Sequence, residues 1–121
     1  MAKEAKGAAG VAARPNDPTV LILTSLASGS KHGYALLLDI EGFAGVRLGP
    51  GTLYGAIGRL EERGLIEAVG EAGRRRPYRL SAAGSAALRE TLTGLRAIVD
   101  EGTARLGRSP IPGVAKAGGL A

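Results

Sequence analysis

Positive charge is most concentrated at three consecutive arginines, Arg74, Arg75 and Arg76. They precede the predicted strand Tyr78–Leu80 and follow a glycine-containing segment, as expected of the loop of a β-hairpin. Guanidinium groups bind phosphate oxygens through charge-assisted hydrogen bonds and can enter the minor groove of DNA. The run therefore predicts contact with a nucleic-acid backbone, and the alternative is a solvated loop.

A short helix that is predicted from Pro50 to Gly64 offers a second candidate site. Proline at the first turn and glycine at the C-cap delimit it. Its inward face is formed by three apolar residues that recur at helical spacing, Leu53, Ile57 and Leu60. Thr52 and Arg59 point elsewhere and are candidates for base or phosphate contact, as in a recognition helix. The alternative for Arg59 is a surface pair with a neighbouring carboxylate.

Four further residues complete the predicted DNA-contact set. Tyr34 and Tyr54 could each donate a hydroxyl to phosphate, or could instead bury their rings in the core. Lys31 and His32 lie just before a second predicted helix, and His32 is also expected to help start that helix.

The residues needed for catalysis or metal binding are missing. The chain has no cysteine and one histidine, which excludes disulfides, thiolate chemistry and a histidine cluster for metal. Adjacent carboxylates at Glu61–Glu62 and Asp100–Glu101 point in different directions on a helix, unlike an acid/base pair. Gly49–Thr52 lacks the lysine and spacing of a phosphate-binding loop. We therefore predict a non-enzymatic protein with no cofactor.

Composition limits the fold and the partner. A chain of 121 residues is long enough for one domain with tails, and its 3% aromatic content favours an aliphatic core packed between helices. The net charge of +5 suits a polyanionic partner, although many basic proteins bind nothing charged. The apolar runs are too short to span a bilayer, and no signal peptide is recognisable. These features predict a cytoplasmic protein without a membrane partner.

The remaining elements follow from start and stop signals. Asp17 and Pro18 predict a first helix that continues to Ser28. A second helix is predicted from His32 or Gly33 to Ile40, with a glycine-rich connection over Glu41–Pro50. Two short strands, Leu65–Val69 and Tyr78–Leu80, complete a hairpin, which after a helix-turn-helix is a wing. The predicted fold is mainly α with a small β-hairpin, a winged helix-turn-helix domain at residues 17–80.

A long C-terminal helix is predicted over residues 81–107. Its apolar positions repeat at steps of four and three, with Gly102 filling one slot: Leu88, Leu92, Leu95, Val99 and Leu106. A narrow stripe over about 25 residues, or about 38 Å, exceeds what a small domain can cover, so we expect a homodimer. The alternative is a helix that folds back on the first helix of its own chain. Residues 1–16 and 108–121 are predicted to be disordered tails.

Four segments in this order resemble the PadR family of bacterial transcriptional regulators. They read KHGY, GPGTLY, RLEERGLI and RPYRLSAAG, at Lys31–Tyr34, Gly49–Tyr54, Arg59–Ile66 and Arg76–Gly84. The resemblance covers roughly Thr19 to Leu106. It implies a dimeric winged helix-turn-helix repressor of a palindromic operator, with the C-terminal helix in the dimer contact. Because its C-terminal part is only one helix long, the chain resembles the shorter branch of the family.

The resemblance also implies a small-molecule inducer, because some members release DNA on binding an aromatic or drug-like compound. Such a pocket would form between the dimer helix and the winged domain, from residues such as Leu92, Leu95 and Ile98. One departure from the family pattern is Gly55, where relatives often have proline. With Gly58 it places two glycines in the third helix, each costing about 1 kcal/mol relative to alanine.

A different function remains open for the same fold. A winged helix can serve as a protein-interaction module without specific DNA binding, with its basic surface incidental. Such a module has no need of three adjacent arginines and would more often expose an apolar patch. The arginine run therefore favours DNA.

Overall fold

The computed structural model describes residues 16–70 and 76–108. The predicted tails, apart from Asn16 and Arg108, lie outside these ranges, as do Arg74 and Arg75. Six elements follow in chain order: α1 Pro18–Leu26, α2 Gly33–Ala44, α3 Pro50–Glu62, β1 Ile66–Ala68, β2 Tyr78–Leu80 and α4 Ala82–Arg108. The prediction of a mainly helical fold with a small hairpin and a long C-terminal helix is confirmed.

Helix α1 forms the centre of the core. It begins as predicted, because the Asp17 carboxylate accepts a hydrogen bond from the Thr19 amide at 2.9 Å and Pro18 occupies the first turn. Ile22 and Leu23 are completely buried. Apolar residues on several sides of α1 are covered by α2, α3 and the hairpin, which explains why α1 lacks one distinct polar face.

Helix α2 ends later than predicted. The expected connection over Glu41–Pro50 is wrong in its first part, because the helix continues to Ala44 and only residues 45–49 connect it to α3. Gly42 does not break the helix. The stop is Gly45, whose φ of +69° is favourable for glycine and whose amide bonds the Glu41 carbonyl at 3.0 Å.

Helix α3 begins at Pro50 as predicted and ends at Glu62, with Arg63 and not Gly64 as its C-cap residue. Leu53, Ile57 and Leu60 are buried, together with Ala56. After α3 the chain turns at Gly64, where φ is +73°, and the Leu65 amide bonds the Leu60 carbonyl at 3.0 Å. This glycine-dependent turn directs the chain into the hairpin.

The hairpin strands are antiparallel, with Ile66 opposite Leu80 and Ala68 opposite Tyr78. The first strand is shorter than predicted because Leu65 belongs to the turn after α3, where its carbonyl accepts from the Ser81 amide at 3.1 Å. Lys31 also pairs with Tyr78 through two backbone hydrogen bonds of 2.9 and 3.1 Å. The second strand is therefore hydrogen-bonded on both sides.

Helix α4 starts at a close contact with the turn that precedes β1. The Ser81 hydroxyl accepts from the Gly84 amide at 3.0 Å and donates to the Gly64 carbonyl at 2.6 Å. A Cβ atom at Gly84 would overlap the carbonyl oxygen of Leu65. The glycine of the YRLSAAG segment is therefore required by packing.

The chain forms two compact units, one ending at Thr91 and one beginning at Leu92. Leu88, predicted to lie in the dimer seam, is 5% exposed and packs in the core of the first unit. The described part of the second unit is helical up to Arg108 and exposes Leu92, Ile98, Val99 and Leu106. Of the helices in the described ranges, none combines the length and apolar character needed to cross a membrane.

Candidate nucleic-acid interface

The outward face of α3 carries few side chains. Opposite its buried residues lie Gly51, Thr52, Gly55, Gly58 and Arg59, all of them exposed. We call these five residues the α3 outer face. Thr52 and Arg59 are its only members with a polar side chain, so the sequence prediction and the structure agree on their exposure.

The glycines of the α3 outer face are not required by the fold. A Cβ atom at Gly51 or Gly58 would meet nothing within 4 Å, and one at Gly55 would meet only the Arg59 guanidinium at 3.6 Å. None of the three has a positive φ. Each nevertheless costs the helix about 1 kcal/mol relative to alanine. Small residues at such positions let another backbone approach the helix axis closely.

The side chain of Arg59 is available for contact with a partner. Within the described ranges no carboxylate lies within ion-pairing distance of its guanidinium, although Glu62 is close in sequence. The expected alternative, a surface pair, is therefore not formed there. Arg63, which sequence reasoning did not select, is likewise exposed at the C-cap of the same helix. The feature of the sequence that could have identified Arg63 is its position at the end of the predicted helix.

Tyr54 is partly exposed and joins α3 to the start of α2. The residue is 48% exposed, so neither full burial nor full exposure describes it. A Cβ atom at Gly33 would overlap the Tyr54 hydroxyl, which shows how closely the ring approaches α2. The glycine of the KHGY segment and the tyrosine of the GPGTLY segment thus form one contact.

Tyr34 has a different environment from Tyr54. It is 62% exposed on α2 and borders an open groove of about 250 Å³, with Leu37, Leu38 and Leu48 on its walls. An ion pair between Arg47 and Glu41, 2.9 Å long, lies at the same groove. None of the residues that line this groove belongs to the α3 outer face.

Lys31 and His32 precede α2 as predicted. His32 is the N-cap residue of α2 but makes no side-chain capping hydrogen bond. The Lys31 ammonium donates to the Ser25 carbonyl at 2.6 Å and to the Ser28 hydroxyl at 2.8 Å. The amine that was predicted to contact DNA is therefore engaged within its own chain.

Only one of the three consecutive arginines lies in the described residues. Arg76 is partly buried, and its guanidinium carbon lies 5.9 Å from the centre of the Tyr78 ring. This distance is within the range of a cation–π interaction. On the same hairpin, Arg79 pairs with Glu67 at 3.1 Å. Arg76 and Arg79 thus each have a neighbour on the hairpin, and the Arg79–Glu67 pair is solvent-exposed.

Metal binding has no support among the described residues. In residues 16–70 and 76–108, no three histidine or acidic side chains come together to hold a metal ion. Every buried side-chain nitrogen or oxygen in these ranges has a hydrogen-bond partner. The exposed side chains among the predicted DNA-contact residues are therefore the candidates for function.

Solved structures with the same fold include bacterial transcription regulators. A PadR family transcription regulator from Clostridium difficile R20291 superposes with a TM-score of 0.66 at 26% identity, covering 74% of this chain and 98% of that one. A transcriptional regulator from Clostridium thermocellum gives a TM-score of 0.61 at 27% identity, covering 69% and 84%. A PadR-like regulator from Bacillus cereus has a TM-score of 0.64, covers 73% and 89%, and at 20% identity shows the fold alone.

Sequence comparison extends the similarity. The chain is 51% identical over 71 residues to an uncharacterized 37.1 kDa protein in transposon TN4556 of Streptomyces fradiae. The match covers 59% of this chain but only 21% of that relative. Residues 22–90, more than half of the chain, match the transcriptional regulator PadR-like family. The chain therefore belongs to the PadR-like family of transcriptional regulators.

Proposed function

We propose that this protein is a sequence-specific DNA-binding regulator that represses transcription as a homodimer on a palindromic operator. The observation that carries the proposal is the α3 outer face, an exposed surface of small residues with Thr52 and an unpaired Arg59. Such a surface suits entry into the major groove, where threonine and arginine can bond base edges. The proposal includes action in the cytoplasm and no catalytic activity.

The wing would contact the DNA backbone beside the helix. Arg76 rests on the Tyr78 ring, and Arg74 and Arg75 precede it in the sequence. Each phosphate neutralised by such a cation releases counterions, so the binding constant would fall steeply with salt. Family membership supports the same assignment.

The homodimer is supported by the apolar residues of the second unit. Leu92, Val99 and Leu106 recur at intervals of seven and are each between 44% and 57% exposed. Burying such side chains contributes about 25 cal/mol per Å² of apolar surface, which favours pairing with a second copy. Because Leu88 is buried in its own chain, the proposed pairing surface begins at Leu92. A small-molecule inducer that releases the operator is part of the same proposal.

The test is selection of bound fragments from random or genomic DNA at a stated salt concentration. We expect enrichment of a pseudo-palindrome whose half-sites are about 34 Å apart, or a multiple of that distance. Absence of enrichment, or a single asymmetric site occupied by a monomer, would contradict the proposal.

A second candidate function is a winged-helix module that docks on another protein. One observation favours it, because α2 exposes Tyr34 and Leu38, which lie one helical turn apart and border the same groove. Contiguous exposed apolar residues often mark interaction surfaces. The same selection separates the two functions, since a protein-docking module would enrich no DNA sequence.

A further inference from the structure

The Lys31 ammonium group hydrogen-bonds to three oxygen atoms of its own chain. The nitrogen lies 2.6 Å from the Ser25 carbonyl, 2.8 Å from the Ser28 hydroxyl and 3.4 Å from the Gly29 carbonyl. A lysine ammonium has three protons and accepts nothing. Three oxygen atoms of the protein therefore match its complete donor capacity.

The acceptors of Lys31 belong to the end of α1 and the loop after it. The last carbonyls of a helix lack partners within the helix and carry partial negative charge. The Ser25 carbonyl is one of these, and the Ser28 hydroxyl also donates to it at 3.0 Å. Lys31 thus closes the α1 terminus and fixes the loop that leads to α2.

The backbone of Lys31 holds the wing. Its amide donates to the Tyr78 carbonyl at 3.1 Å, and its carbonyl accepts from the Tyr78 amide at 2.9 Å. The Tyr78 ring in turn supports the Arg76 guanidinium. One residue therefore connects the end of α1 to the strand that begins two residues after Arg76, a predicted DNA-contacting arginine.

We propose that Lys31 is a positioning residue of the DNA interface and not a phosphate contact. Its ammonium fixes the loop at residues 27–32, the loop fixes β2, and β2 presents Arg76 to DNA. This inference rests on the proposed function for its effect on binding, whereas its effect on the backbone pairing with Tyr78 is independent of DNA.

The DNA-independent arm measures amide hydrogen exchange in Lys31→Met without DNA. We expect the Lys31 and Tyr78 amides to exchange at least several-fold faster than in the wild type. Arg47→Met is the matched control, because it also replaces one cationic side chain by methionine. It leaves the loop at residues 27–32 unchanged. Unchanged exchange at both amides in Lys31→Met would overturn the proposal, even if no DNA is ever bound.

The DNA arm compares salt dependence by fluorescence anisotropy on the selected operator. Positioning acts through Arg76, so Lys31→Met should lower affinity several-fold in the wild-type background but leave affinity and the slope of log K against log salt unchanged in an Arg76→Ala background. A phosphate contact predicts a slope smaller by about 0.9 in that Arg76→Ala background. That smaller slope would overturn the proposal, whereas failure of the wild type to bind any DNA would reject the proposed function only.

Two further variants keep the test decisive if Lys31→Met folds poorly. Ser28→Ala removes one acceptor and leaves the lysine charge in place, so positioning predicts a smaller loss of affinity than Lys31→Met causes. A phosphate contact predicts no loss. In a double-mutant cycle, Arg76→Ala should reduce affinity less in the Ser28→Ala background than in the wild type. Strictly additive effects would contradict positioning.

Discussion

Glycines in two regions of this protein have opposite surroundings. At the contacts between elements, a Cβ atom at Gly33 or Gly84 would overlap a neighbouring residue. On the α3 outer face, a Cβ atom at Gly51 or Gly58 would meet nothing. The first pair is explained by packing within the chain. The second pair is not required by packing, as is also true of Gly42 and Gly94, so operator binding decides whether a partner requires it.

The largest effect on stability is expected at Gly84. Gly84→Ala forces a methyl group onto the Leu65 carbonyl, and neither backbone segment can move freely. We expect a loss of about 3 kcal/mol or more in the free energy of unfolding, at or above the upper range for overpacking. Urea denaturation followed by circular dichroism measures it. Gly94→Ala in the same helix is the control, because its Cβ meets open space and should stabilise the helix. Equal behaviour of the two variants would show that the contact is not tight.

The largest effect on DNA binding is expected from the wing. Replacing Arg74, Arg75 and Arg76 by alanine should lower operator affinity about 100-fold and reduce the salt slope by up to about 3, because each phosphate contact contributes about 0.9. Non-specific DNA should be affected as well. Anisotropy titrations at several salt concentrations measure both quantities. Unchanged affinity and slope would mean that the wing is a solvated loop.

An intermediate effect is expected at Gly33, where the overlapping atom belongs to a side chain and can move. Gly33→Ala should displace the Tyr54 ring and cost about 1 to 2 kcal/mol of unfolding free energy. Tyr54→Ala removes the obstacle, so the added cost of Gly33→Ala should largely vanish in that background. Urea denaturation of the four proteins measures the coupling, and additive losses would refute the contact.

The smallest change in stability is expected for Gly58→Ala, which tests directly whether DNA approaches α3 closely. Gly58→Ala should raise the free energy of unfolding by about 0.5 to 1 kcal/mol, yet weaken operator binding at least several-fold if DNA occupies that space. Gly42→Ala on α2, also with an open Cβ position, should give the same stabilisation without a loss of affinity. Urea denaturation measures the free energy of unfolding of both variants, and anisotropy titration measures their affinity for the operator. Undiminished operator binding by Gly58→Ala would remove the argument for close approach.

Local signals predicted much of this fold because they act within a few residues. Asp17 and Pro18 located the start of α1, and Pro50 and Gly64 located α3. The end of α2 was missed because the sequence does not show which of Gly42 and Gly45 adopts the left-handed conformation. Local propensity tolerates one glycine in a helix, whereas a positive φ ends it.

Contacts between distant residues were not predictable in the same way. Lys31 was assigned to DNA from its charge, because its acceptors become close only after α1 and the loop have folded. Leu88 fits the heptad pattern as well as Leu92 does, and periodicity cannot tell which part of a stripe its own chain covers. The contact between Gly33 and Tyr54 also depends on how α2 and α3 pack.

The most direct test of the central claim is the affinity of the full chain for its selected operator and for a scrambled duplex of equal length and composition. Both are titrated at the same salt concentration, near physiological. Specific recognition predicts that the operator binds at least about 1,000-fold more tightly. Equal affinities for the two duplexes would contradict a sequence-specific regulator.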